Sequence, residues 1–170
     1  MPKKWKTFYE LLFVGQPCRL FFDIEYNKDL NKEQDGEAKM IIFRKYLIEE
    51  ITKLLGKVSG ERQCAQKPSI NTFETDASSG TKFSRHVVVQ LSGFCFKDIW
   101  SAGFFVDKLC EKIRAECKSK NEELKRLLVN TPKQKGNQVF VDLTVYSTIR
   151  NFRLVQSAKS KDVCRRHLRV

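Results

Sequence analysis

An α+β fold is what this sequence predicts, on three observations. Residues 18–26, 81–91 and 139–146 are short stretches rich in aromatic and β-branched residues and read as strands. Residues 37–55 and 99–117 repeat apolar side chains with a helical period. Glycine, proline and polar clusters separate these segments. The chain's 170 residues suffice for one domain with its own core. A net charge of +12 calls for an anionic partner such as nucleic acid. No apolar run approaches the ~20 residues that cross a bilayer, so no membrane partner is expected. The basic start has no signal-peptide core, and the six cysteines show no CxxC spacing; they read as free intracellular thiols.

Taken in order, residues 1–16 carry Trp5, Phe8, Leu11, Leu12 and Phe13 and fit either a helix turn or an edge strand. The first firm strand, 18–26, is apolar except for Arg19, Asp23 and Glu25. Strand alternation puts Asp23 and Glu25 on one face, roughly 6–7 Å apart. Like charges on an apolar strand repel and are costly to desolvate, and a hard divalent cation removes both penalties. The same pair also fits a half-exposed edge strand with a solvated acidic face. A polar loop, 27–36, leads into the helix 37–55, with Met40, Ile41, Phe43, Leu47, Ile48, Ile51, Leu54 and Leu55 as its apolar residues and Gly56 as its stop.

Residues 57–69 are a polar connection through Pro68, and 69–74 read as a short strand. In the strand 81–91, Lys82, Ser84 and His86 alternate onto one face. Together they supply a charge and two donors, which suits phosphate, although such residues also occur on ordinary exposed faces. The helix 99–117 runs through Trp100, Phe104, Phe105, Leu109 and Ile113, with Asp98 or Ser101 as its cap. The charged region 118–138 holds a short helix, 122–129, and then a loop. In the strand 139–146 a single acid, Asp142, interrupts an apolar run and needs a partner. Should this strand lie beside the first, Asp142 becomes a third carboxylate on one sheet, the apparatus of two-metal phosphoryl transfer. Arg150 and Arg153, with Lys159 after them, could clamp a triphosphate, though arginines near a basic terminus are common. Cys164 and His167 have the spacing of half a zinc site, without a second pair.

Four motifs in order carry a resemblance: Asp23-Ile24-Glu25, Ser84-Arg85-His86, the lone Asp142 within Phe-Val-Asp-Leu-Thr-Val-Tyr, and Arg-Asn-Phe-Arg-Leu from Arg150 with Lys159 beyond it. Over roughly residues 8–161 the chain resembles the eukaryotic primase-polymerase family of the archaeo-eukaryotic primase superfamily. That resemblance implies an RRM-like antiparallel or mixed sheet with helices packed on one face, the C-terminal module of the catalytic core, at 18–161. Residues 1–17 would then be a remnant of an N-terminal module, and 162–170 a basic tail. It implies that Asp23, Glu25 and Asp142 are catalytic and hold two Mg²⁺ or Mn²⁺ ions. Lys82, Ser84 and His86 would contact the phosphates and sugar of an incoming nucleotide. Arg153 and Lys159 would hold its triphosphate, with Arg150 nearby.

The implied reaction is template-directed nucleotidyl transfer from deoxynucleoside triphosphates, with ribonucleotides as further substrates, on a single-stranded or primed DNA template. The implied setting is replication restart and lesion bypass in nucleus and mitochondrion, by a monomer. The family's N-terminal module and its zinc motif are not in this sequence, so a partial catalytic core is expected and no zinc. The contrasting expectation is a basic RRM-like module that holds nucleic acid without catalysis. An RRM reads RNA with exposed aromatics, whereas acids on the open face repel phosphate unless metal is bound, which favours the enzyme. Another nucleotidyl transferase or nuclease built on three carboxylates is disfavoured by the Ser-x-His and Arg-Asn-Phe-Arg-Leu motifs.

Overall fold

The computed structural model describes residues 8–61, 69–119, 121–133, 136 and 138–153. The protein is α+β, with β1 (Tyr9–Phe13), β2 (Leu20–Asn27), α1 (Gly36–Glu61), β3 (Ile70–Asp76), β4 (Lys82–Leu91) and α2 (Ile99–Lys118) in order. A single helical turn α3 (Glu122–Lys125), the two-residue strands β5 (Leu128–Val129) and β6 (Gln138–Val139), a 3-10 turn (Leu143–Val145) and β7 (Ile149–Arg153) follow.

Strands β2, β4 and β3 form an antiparallel sheet with β2 at one edge. That edge is covered by the backbone after β6: Glu25 N donates to Phe140 O (2.8 Å), Asp142 N donates to Asp23 O (2.8 Å), and Ile24 bridges Val141. The segment therefore occupies a fourth strand position, and the order strand–helix–strand–strand–helix–strand is a split βαβ arrangement. A separate antiparallel ribbon joins β1 to β7. Within the segment 1–16, which fitted either a helix turn or an edge strand, Tyr9–Phe13 is a strand.

Because β2 is buried on both faces, it reads as an apolar run broken only by Asp23 and Glu25 before its final Asn27. Phe22 meets Phe43 of α1 edge-on at 5.2 Å, and Phe43 meets Phe140 at 5.5 Å. Phe21, on the opposite face, contacts Tyr146 (4.9 Å) and Phe152 (5.0 Å). Along α1 the fully buried residues Met40, Phe43, Leu47 and Ile51 follow helical spacing. Asp35 caps this helix, accepting from the amides of Glu37 (2.9 Å) and Ala38 (3.2 Å). At Gly36 a Cβ would collide with the Phe83 ring, so glycine lets the helix start against the sheet. Helix α2 is capped by Asp98, which accepts from Ser101 N (2.9 Å) and Ser101 Oγ (2.8 Å). It joins α1 through Tyr46 Oη donating to Glu116 (2.8 Å) and the Lys112–Glu50 ion pair (2.6 Å).

Four expectations need correction. Helix α1 continues past Gly56 to Glu61; a solvent-facing glycine inside an anchored helix costs only ~1 kcal/mol, too little to end it. Ile41 and Ile48 of the expected apolar face are exposed. The helix expected at 122–129 stops after one turn, because Leu128 and Val129 pair with β6 instead. The strand expected at 139–146 is a strand only at its start. Asp142 Oδ1 accepts from Thr144 N (2.8 Å) and Thr144 Oγ1 (2.7 Å) and turns the chain into the 3-10 turn. Cys18, Cys95, Cys110 and Cys117 are free thiols, as expected, and Cys64 lies outside the described residues. Among the described residues no helix is long and apolar enough to cross a membrane.

Candidate metal centre and phosphate-binding face

Register assembles the site. Across β2 and β4, Asp23 pairs with His86, Glu25 with Ser84 and Asn27 with Lys82, and directly opposed residues share a face. The two acids and the Lys–Ser–His row therefore look the same way, as strand alternation required. His86 Nε2 is 3.9 Å from Asp23 Oδ1, and Lys82 Nζ forms an ion pair with Glu25 Oε2. Ser84 is buried, its amide held by Ser78 Oγ at 3.0 Å. Arg85 looks to the other face and ties Glu74, Asp76 and Glu37 together.

The third carboxylate arrives on the fourth strand position beside β2, one residue past the bridge between Val141 and Ile24. The Asp142 amide is hydrogen-bonded to Asp23 O, and one Asp142 oxygen is held by Thr144. One carboxylate oxygen from each of Asp23, Glu25 and Asp142 lies within 4.8 Å of the others. Sequence reasoning brought these three acids together, and the structure does too.

Asp23 carries the electrostatic strain of the cluster. It is 8% exposed, and its Oδ1 has no hydrogen-bond partner. Burial first, then the Glu25 charge, pushes its carboxyl up to about 6; Asp142 adds to this, while Lys82 and Arg150 oppose it. An orphaned buried oxygen beside two further carboxylates is a donor set of hard oxygens, which fits Mg²⁺ or Mn²⁺.

Ribbon β1–β7 lies over the same face. Phe152 meets His86 at 4.9 Å, and Arg150 Nη2 lies 3.8 Å from Asp23 Oδ2. The Arg150 Nε has no hydrogen-bond partner. Sequence reasoning ranks Arg150 behind Arg153, yet Arg150 lies beside the acids. Arg153 is buried and pairs with Tyr9 in the ribbon. Lys159, Cys164 and His167 lie outside the described residues.

Two supporting elements had no signal in the sequence. Thr144 orients Asp142, as described. Asn31, 4% exposed, binds the Asn27 carbonyl (2.8 Å) and brackets the Asn130 backbone (3.0 and 2.8 Å). That clamp fixes one wall of a cavity of about 580 Å³ whose lining includes Glu25, Asn27, Lys82, Asn130 and Asp142. The arrangement can thus place anionic oxygens between a carboxylate cluster and a set of cationic or donor side chains.

No family model matches the chain. Curated relatives do. A DNA-directed primase/polymerase protein of Danio rerio is 30% identical over 173 residues, which is 89% of this chain and 32% of the relative. The protein of that name from Mus musculus is 32% identical over 188 residues, 89% of this chain and 34% of the relative. That from Homo sapiens is 31% identical over 103 residues, 61% of this chain and 17% of the relative. The chain spans about a third of the length of the first two.

Proposed function

With this chain homologous to a partial region of the DNA-directed primase/polymerase proteins, we propose that it is a catalytic portion of a metal-dependent nucleotidyl transferase acting on DNA and nucleoside triphosphates. The observation that supports this most is the meeting of Asp23, Glu25 and Asp142 opposite Lys82, His86 and Arg150. Asp23, Glu25 and Asp142 would hold two Mg²⁺ or Mn²⁺ ions. Bound there, such ions supply charge stabilisation to the attacking and leaving oxygens of an in-line displacement.

The protein's own groups do the positioning. Arg150 and His86, both within 4 Å of Asp23, present positive charge and donors where a triphosphate meets the acids. Lys82 holds Glu25 in place and neutralises it. Ser84 lies opposite Glu25 with its hydroxyl on the same face. Arg153 and Lys159 extend this set in the family pattern. Phe21, Phe152 and Tyr146 wall the site on one side and exclude water, which strengthens each charge interaction. The reaction joins a 3′-hydroxyl to an α-phosphate and releases pyrophosphate. Template-directed deoxynucleotide addition in replication restart and damage tolerance, in nucleus or mitochondrion, is the corresponding biological reading.

A second reading, nucleic-acid binding without catalysis, is favoured by one observation: Glu25 already has a counter-ion in Lys82. Primer extension on a primed template with Mn²⁺ separates the two. Catalysis predicts extension that Asp23→Ala abolishes. Equal extension by both proteins removes the metal assignment. No extension, with single-strand binding intact, supports the binding module.

A further inference from the structure

The sheet face that carries the acids does not end with them. By register, Phe21, Val88 and Phe73 form one row across β2, β4 and β3, and Asp23, His86 and Thr75 form the next. Tyr146 and Phe152 cover the β2 end of the first row, leaving Phe21 2% exposed. The cover stops at β4: Val88 is half-buried, and Phe73 is 57% exposed. The side chains flanking Phe73 on this face are polar and uncharged, with Asn71 and Gln90 exposed and Thr75 half-buried.

That composition decides between partners. A surface that docks protein is a continuous apolar patch, and a lone ring among amides is not one. A ring with amides beside it matches a nucleobase, which offers a π face for stacking and edge groups for amide hydrogen bonds. The net charge of +12 favours a polyanion, and the cations Lys82 and Arg150 lie on the same side of the sheet. Two strand spacings and two residues of rise separate Phe73 from Asp23, roughly 11–12 Å between Cα atoms. A few nucleotides of a single strand span that distance.

We propose that Phe73 is a stacking platform for a base of single-stranded nucleic acid lying across the β3 side of the sheet. This rests on the nucleic-acid reading above, but on neither the metals nor catalysis.

The test is fluorescence anisotropy with a single-stranded DNA oligonucleotide carrying one 2-aminopurine, in EDTA, so that no metal contributes. Loss of one stacked base corresponds to about a 5- to 150-fold weakening. Phe73→Ala is expected to weaken binding within that range and to relieve the 2-aminopurine quenching, while Phe73→Tyr stays within about twofold of the native protein because it keeps the ring. Ile41→Ala, at an equally exposed apolar side chain on α1, is expected to change nothing. Unchanged binding by Phe73→Ala overturns the proposal, as does a Tyr variant as weak as the Ala variant. An equal loss from Ile41→Ala does so too. Absence of single-strand binding by the native protein also overturns it, and Mn²⁺ stabilisation of that same protein would leave the metal centre standing.

Discussion

Replacing Asp23 by asparagine should stabilise the metal-free protein while destroying its response to metal. The Asp23 carboxyl stands near 6 in the folded state against an ordinary value of 3.8. Below about pH 4 it is protonated in both the folded and unfolded states and costs nothing. Between about 4 and 6 the folded state binds more proton than the unfolded, so stability falls as pH rises. Above 6 the full cost of a buried, repelled carboxylate is present. Two pKa units correspond to ~3 kcal/mol, and some relaxation toward Arg150 and His86 makes ~1–3 kcal/mol the reasonable range. For a chain of this size that is a rise of about 3–10 °C in Tm. Thermal unfolding in EDTA, followed by circular dichroism from pH 3.5 to 8, reads it directly. The Asn variant should exceed the native protein at pH 7, match it near pH 3.5, and gain nothing from Mn²⁺. A variant less stable than the native protein at pH 7 would refute the reasoning, as would a difference that persists unchanged into acid.

Further outcomes follow from other contacts. Thr144→Val removes the hydroxyl that holds Asp142 Oδ1; Mn²⁺ affinity by calorimetry should fall roughly 10-fold, and Thr144→Ser should restore it. Gly103→Ala would place a Cβ 2.6 Å from the Tyr146 Cβ, so urea unfolding should show a loss of ~1–3 kcal/mol from overpacking despite alanine's better helix propensity. Single-stranded DNA affinity should fall linearly on a log–log plot against salt, with a slope of roughly −0.7 per phosphate neutralised; a flat response would remove the nucleic-acid partner.

Much of this architecture is legible in the sequence because burial on both faces of β2 and the alternation in β4 leave strong one-dimensional patterns. A cap for α2 at Asp98 or Ser101 and the shared face of Lys82, Ser84 and His86 follow from local rules alone. The misreadings have local physical causes. An apolar run such as 139–146 does not reveal that the Asp142 side chain will compete for the Thr144 amide and bend the chain. Gly56 looks like a stop only if the packing of Met40, Phe43, Leu47 and Ile51 upstream is ignored. Long-range pairings leave no periodic trace. The ribbon between β1 and β7, the bond from Asn31 to Asn130, and the approach of Arg150 to Asp23 are of this kind. The placement of Asp142 beside β2 was readable through the motif order, not through its spacing.

Isothermal titration of the native protein with Mn²⁺ at pH 7.5, beside Asp23→Ala, Glu25→Ala and Asp142→Ala, tests the carboxylate cluster most directly. Saturable binding by the native protein that each substitution weakens at least tenfold is the predicted result. Heats indistinguishable among the four proteins, or no binding by any, would contradict a shared cation site at these three residues.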